Sequence, residues 1–102
     1  MRLRYTARAS RQLQTIADYL AEKSPAAGRR AKLRIREVAE FLADHPHVGH
    51  KGALAGTREF VVPGTPYIIV HRVEPSDPET LTILAVYHGA QLRPGQAPPE
   101  DD

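Results

Sequence analysis

Leu81-Thr82-Ile83-Leu84-Ala85-Val86-Tyr87-His88-Gly89-Ala90-Gln91 decides how the rest of this chain must be read. A strand this apolar over six positions, 81–86, must be buried. Yet it delivers a tyrosine and a histidine at its end, where Gly89 lets the chain leave sharply. Polar groups at a strand terminus are rigidly held and face solvent or a partner. The exit of this strand is therefore a candidate site.

Working back toward the N-terminus, Arg58–Val62 reads as a strand, Pro63-Gly64 suits the centre of a type II turn, and Tyr67–Val73 is a second strand rich in β-formers. A further turn, Glu74-Pro75-Ser76-Asp77-Pro78, leads into the strand Leu81–His88. Short turns between three strands make an antiparallel meander. Phe60, Val62, Ile68, Val70, Ile83 and Ala85 alternate with other apolar groups, so one face of that meander needs a cover. Residues 45–57 are rich in Gly and His without periodicity and read as a loop.

The cover comes from the N-terminal half. Arg2-Leu3-Arg4-Tyr5 alternates like a short strand, and Thr6 can cap a helix. Leu13, Ile16, Ala17, Leu20 and Ala21 fall on one helical stripe, which predicts an amphipathic helix over 7–23. Ser24 and Pro25 then start a second helix running to about Asp44, with Ala27, Ala31, Ile35, Val38, Ala39 and Leu42 on one face. His45-Pro46 ends it. The order strand, helix, helix, strand, strand, strand predicts an α+β fold of two layers, βααβββ, with a helical hairpin packed on a mainly antiparallel sheet. Residues 1–94 form the domain. Residues 95–102, proline-rich and ending in Glu100-Asp101-Asp102, are expected to be a flexible acidic tail.

Length and composition bound the function. A chain of 102 residues is one domain by size, and the absence of cysteine removes disulfides and thiolate nucleophiles. No apolar run approaches the roughly 18 to 20 residues that cross a bilayer, and no signal segment opens the sequence. No membrane role and a cytoplasmic location are the expectation. The net charge of +2 hides an asymmetry: residues 1–36 carry ten Lys/Arg against Asp18 and Glu22, a net +8, whereas 37–102 carry four against ten, a net −6. Such a surface steers an acidic partner toward the N-terminal half, with Arg29, Lys32 and Arg36 flanking the apolar stripe of the second helix.

Nucleotide hydrolysis and acyl transfer lack their motifs, and the serines have no evident base. His45, His47 and His50 share a loop but lack an acidic or cysteine group to complete a tetrahedral set, so no metal and no cofactor are expected. The better constellation is Arg58, His71, Arg72, Tyr87 and His88, all on the meander. Metal-free RNA cleavage needs a base, an acid and cations on the phosphate, and these residue types can fill those roles. The plainer alternative makes the arginines cross-strand surface groups, Tyr87 a core aromatic, and His88 a hydrogen-bond partner of the following turn.

Arg58-Glu59-Phe60-Val61-Val62, then Pro66-Tyr67-Ile68-Ile69-Val70-His71-Arg72-Val73, then Leu84-Ala85-Val86-Tyr87-His88-Gly89-Ala90-Gln91 with Arg93-Pro94 together resemble the RelE/ParE superfamily of bacterial toxins, and more closely its ParE branch. The resemblance spans about residues 2 to 94. It implies the βααβββ fold and the toxin role in a type II toxin–antitoxin module. It also implies a cognate ParD- or RelB-like antitoxin that is acidic and folds on binding, and DNA gyrase as target, inhibited by binding without an active site. Contacts to these partners are expected from Arg29, Lys32, Arg36, Arg58, His88 and Arg93. The alternative implied by the RelE branch is a ribosome-dependent mRNA endoribonuclease, using Tyr87 or His88 for proton transfer with Arg58 and Arg72 on the phosphate. Few basic residues surround the loop before the second strand, which argues against that chemistry. One departure bears on the target: Leu92-Arg93-Pro94 stands where many ParE-like chains carry tryptophan before the proline.

Overall fold

A computed structural model describes residues 1–90. Seven elements follow in the order β1 (Arg2–Tyr5), α1 (Ala7–Ala21), α2 (Pro25–Asp44), β2 (His50–Lys51), β3 (Arg58–Val61), β4 (Tyr67–Glu74) and β5 (Asp77–His88). The strands form one five-stranded sheet in the order β1-β5-β4-β3-β2. Its pairings are antiparallel except that β1 lies parallel to β5, with Leu3 opposite Leu81 and Tyr5 opposite Ile83. The fold is α+β, with two helices packed on a mixed sheet, as the element order predicts.

Each helix begins at its predicted cap. The Thr6 hydroxyl accepts the Ala9 N–H at 3.0 Å and donates to the Leu84 carbonyl at 3.0 Å, so one buried side chain starts α1 and ties it to β5. Ser24 caps α2 through the Ala27 N–H, with Pro25 in the first turn, where its missing N–H leaves no bond unmade. The first helix ends at Ala21, two residues short of the predicted 23, because Glu22 caps it and Lys23 turns back to the Leu20 carbonyl. Ala9 and Leu13 of α1 and Ile35, Val38, Ala39, Leu42 and Ala43 of α2 join Val62, Tyr67, Ile69, Leu81, Ile83 and Val86 in the principal core. Burying a side chain the size of Ile35 or Leu42 completely stabilises the fold by about 1.5–3 kcal/mol.

The central position of β5 accounts for its composition: a strand paired on both edges, with Leu81–Tyr87 all buried, has no solvent face. Several boundaries differ from the expected ones. β5 starts at Asp77 rather than Leu81, because Glu74 pairs with Asp77 and leaves Pro75-Ser76 as a two-residue turn. β4 continues through Glu74, and β3 ends at Val61 before a turn in which Gly64 takes φ +80°, as a type II turn requires. Within the loop expected over 45–57, His50-Lys51 pairs with Arg58-Glu59, a strand too short to leave a period in the sequence.

The six alternating residues expected to form one face do not. Phe60, Val62 and Ile83 lie with the helix-side core, whereas Ile68, Val70 and Ala85 join Leu84 and Tyr87 in a second cluster on the other side of the sheet. Register parts Phe60 and Val62 from Ile68 and Val70, since Phe60 faces Ile69 and Val61 faces Ile68, and a bulge in β5 parts Ile83 from Ala85. Val70 pairs with Ala85 but the next residue, His71, pairs with Ile83, so Leu84 is an extra residue that resets the alternation. Leu92, Arg93, Pro94 and the acidic tail at 95–102 lie outside the described residues.

Candidate functional site

The basic flank of the helical hairpin is set by a glycine. A Cβ on Gly28 would stand 2.5 Å from the Ala17 carbonyl oxygen, so only glycine lets the two helices approach this closely. Beside that contact runs a groove lined by Gln14, Ala17, Asp18, Ala21, Gly28, Arg29 and Lys32. Lys32 Nζ donates to Gln14 Oε1 at 2.7 Å, and Gln14 Nε2 donates to Asp18 Oδ1 at 2.8 Å. Of the three cations expected here, Lys32 is thus tied across the groove. Arg29 and Arg36 are exposed and form no ion pair among the described residues.

At the sheet end, successive residues of β5 point to opposite faces. His88 turns to the helix side. Its ring meets Tyr67 edge-on with centroids 5.7 Å apart, and its Nδ1 accepts the Ala90 N–H at 3.0 Å, the bond to the following turn that the plainer reading assigns it. A groove of about 410 Å³ opens beside it, lined by Thr15, Ile16, Tyr19, Tyr67 and His88. Tyr19 is exposed at its rim with the Lys23 ammonium 5.2 Å above the ring.

Tyr87 belongs to the other face. Its hydroxyl donates to Glu59 Oε1 at 3.1 Å, and the same carboxylate oxygen lies 3.9 Å from His50 Nε2. Burial, and then the negative charge and hydrogen bond of Glu59, push the Tyr87 pKa up to about 12. A phenol held this firmly in its protonated form is a poor proton acceptor.

The remaining members of the expected constellation do not converge either. His71 is fully buried, and desolvation lowers its pKa. The carbonyls of Val48 and Ile69 pull the other way, but among the described residues neither ring nitrogen has a hydrogen-bond partner of ordinary geometry. It is a core histidine, out of reach of a substrate. Arg72 sits 3.8 Å from Glu74, whose other oxygen accepts the Thr82 hydroxyl at 2.7 Å. Arg58 donates to the Gly49 carbonyl at 3.2 Å and stands cross-strand between Lys51 and His71. The five residues proposed together from their types are therefore spread over both faces and the core. Arg93 lies outside the described residues.

Some functional candidates escape a reading of the sequence. Tyr67 joins His88 as its cross-strand partner, and Tyr19 joins them only because α1 crosses the end of the sheet. Glu59 reaches Tyr87 across β4, and His50 reaches Glu59 through a strand of two residues. For Glu59 a signal exists: it follows Arg58 and precedes the inward Phe60, so alternation puts it opposite the helices. The loop histidines scatter. His45 stacks on Phe41 at 4.5 Å, His50 faces Glu59, and His47 lines a cleft with Lys51 and Arg58. Among the described residues no group of three or more His, Cys, Asp or Glu side chains could hold a metal ion.

Comparison with known proteins places these features in context. The family model described as the ParE toxin of the type II toxin–antitoxin system parDE matches residues 3–93. A Sinorhizobium fredii protein named toxin Y4kP is 39% identical over 83 residues, covering 81% of this chain and 85% of that protein. Toxin RelE2 of Caulobacter vibrioides is 36% identical over 88 residues, covering 86% and 94%. A chain of the chromosomal ParDE system from P. aeruginosa shares the fold, with a TM-score of 0.74 at 23% identity over 86% of this chain and 95% of that one.

Proposed function

Because this chain belongs to the ParE toxin family of type II toxin–antitoxin systems, we propose that it acts by binding, as an inhibitor of DNA gyrase, and is neutralised by its cognate antitoxin. One observation carries this reading. Tyr87 and His88, the two groups able to exchange protons at the end of β5, face opposite sides of the sheet. General acid and base must both reach the same scissile bond. The RelE-type alternative would also need Arg58 and Arg72 at that phosphate, and Arg72 is engaged with Glu74. A binding function needs none of this convergence.

The antitoxin in this reading is an acidic segment that orders on contact, drawn to the net +8 of residues 1–36 and seated along Arg29, Lys32 and Arg36. His88 with its aromatic groove, Arg58 and Arg93 supply the contacts to target or antitoxin. No helix among the described residues is long and apolar enough to cross a membrane, in keeping with partners reached from solution. A supercoiling assay with purified gyrase tests the proposal. Loss of supercoiling at toxin excess, restored by antitoxin, is expected; full gyrase activity beside a toxin shown by circular dichroism to be folded ends it.

A further inference from the structure

The outward face of α2 carries a pattern that neither the core nor the proposed partners use. Arg30, Leu33, Arg34, Glu37, Glu40, Phe41 and Asp44 are all exposed and follow one another at helical spacing on the side away from Ile35, Val38, Ala39 and Leu42. Leu33 is 60% and Phe41 42% exposed, two of the few large apolar side chains left in water. The charges are segregated: the N-terminal half of the seam is basic and the C-terminal half acidic. None of these charged groups forms an ion pair among the described residues.

That order is the wrong way round for an isolated helix. Anions are favoured at a helix N-terminus and cations at its C-terminus, yet the first turn of α2 holds no acid and its last turn no base. The same order is self-complementary once a second copy is laid antiparallel. Rotation about an axis through Glu37 sets Arg30 and Arg34 of one copy against Asp44, Glu40 and the Phe41 ring of the other, with Leu33 closing the seam from each side. The basic half of each helix then meets the acidic half of its neighbour, and each cation also approaches the favourable C-terminal end of the partner helix.

We infer that α2 is a homodimerisation surface, on which two copies of this chain pair antiparallel through the Arg30–Asp44 seam. The contact is isologous, so it closes on itself and does not propagate. One helix against one helix buries less than the roughly 1,200–2,000 Å² of a standard stable interface, so the dimer is weak and forms in the micromolar range. Arg29 and Lys32 lie on the flank toward α1 and remain outside the seam. The inference therefore stands independently of the gyrase reading.

Sedimentation velocity on the full chain, from about 5 to about 500 µM, should show the mass rising from monomer toward dimer, with weaker association at high salt. Arg30→Asp with Arg34→Glu should lower the association constant about tenfold or more. Adding Glu40→Arg and Asp44→Arg to that variant should restore it, because the exchanged charges still complement each other. The chain has no cysteine, so Glu37→Cys gives a clean second measurement: two such residues meet at the axis and should form an intermolecular disulfide on mild oxidation. A chain that stays monomeric throughout with Glu37→Cys uncrosslinked overturns the inference. So does a dimer indifferent to the charge reversals, or a seam whose reversals weaken only the binding of an acidic partner protein.

Discussion

His71 shows what burial does to an ionisable residue that sequence alone leaves eligible for catalysis. Desolvation depresses its pKa from the ordinary 6.5, with the nearby Arg58 charge acting in the same direction. The unfolded chain therefore takes up a proton more readily than the folded one. Stability should be full above the unfolded value of 6.5 and fall as pH drops below it toward the folded value. Urea unfolding between pH 7.5 and 5 should show that decline. His71→Leu should flatten it, and an undiminished slope in the variant would place the proton uptake elsewhere. Tyr87 offers a different test. Replacing it with Phe removes a hydrogen bond to a carboxylate and should cost about 1.5–3 kcal/mol in urea unfolding, since among the described residues a half-buried Glu59 keeps only the distant His50. On the binding reading it should leave gyrase inhibition by the folded toxin unchanged. Tyr87 and His88 were legible as a pair in the sequence, and strand alternation already assigns neighbours to opposite faces. What could not be read is which face lies under the helices.

Among the elements, the helical hairpin is the one whose geometry rests on a single residue. Two opposed effects meet at Gly28: alanine improves helix propensity by about 1 kcal/mol, but its Cβ would stand 2.5 Å from a backbone oxygen that cannot rotate away. Overpacking of this kind costs about 1–3 kcal/mol, so the clash should win. Gly28→Ala is expected to lower the urea midpoint; an equal or higher midpoint would mean that the helices part without penalty. The hairpin itself was readable from Ser24-Pro25 and from the stripes ending at Ala21 and beginning at Ala27, because caps and periodicity are local. The β5 boundary was not: Asp77–Thr80 extend a strand whose only recommendation is a partner, with Thr80 donating to Asp77 at 2.8 Å and Asp77 bound to Arg2 of β1 at 2.6 Å. The bulge at Leu84 is likewise invisible in an apolar run, since every register of such a run looks equally hydrophobic.

For the whole molecule the charge division matters more than any one contact. An acidic partner should be steered to the half holding Arg29, Lys32 and Arg36, so its association rate should fall steeply with added salt. Reversing Arg29 and Arg36 to Glu should lower that rate at least tenfold at low salt while leaving the dissociation rate less affected. Stopped-flow mixing with the antitoxin checks this, and equal salt slopes for both toxins would assign the steering to other cations. The sequence by itself determined the identity and order of every element except the two-residue β2, the layering of a helical hairpin on a sheet, the caps and the type II turn, because each depends on residues within a few positions of one another. It determined the family as well, through motifs spread over three strands. Only the tertiary structure decided that β1 runs parallel to β5, that register and a bulge divide the apolar residues between two faces, and that His71 is sealed while His88 lines a groove. Those outcomes depend on which distant segments are adjacent and in what register, and the burial, electrostatics and reach of a side chain are properties of its neighbours.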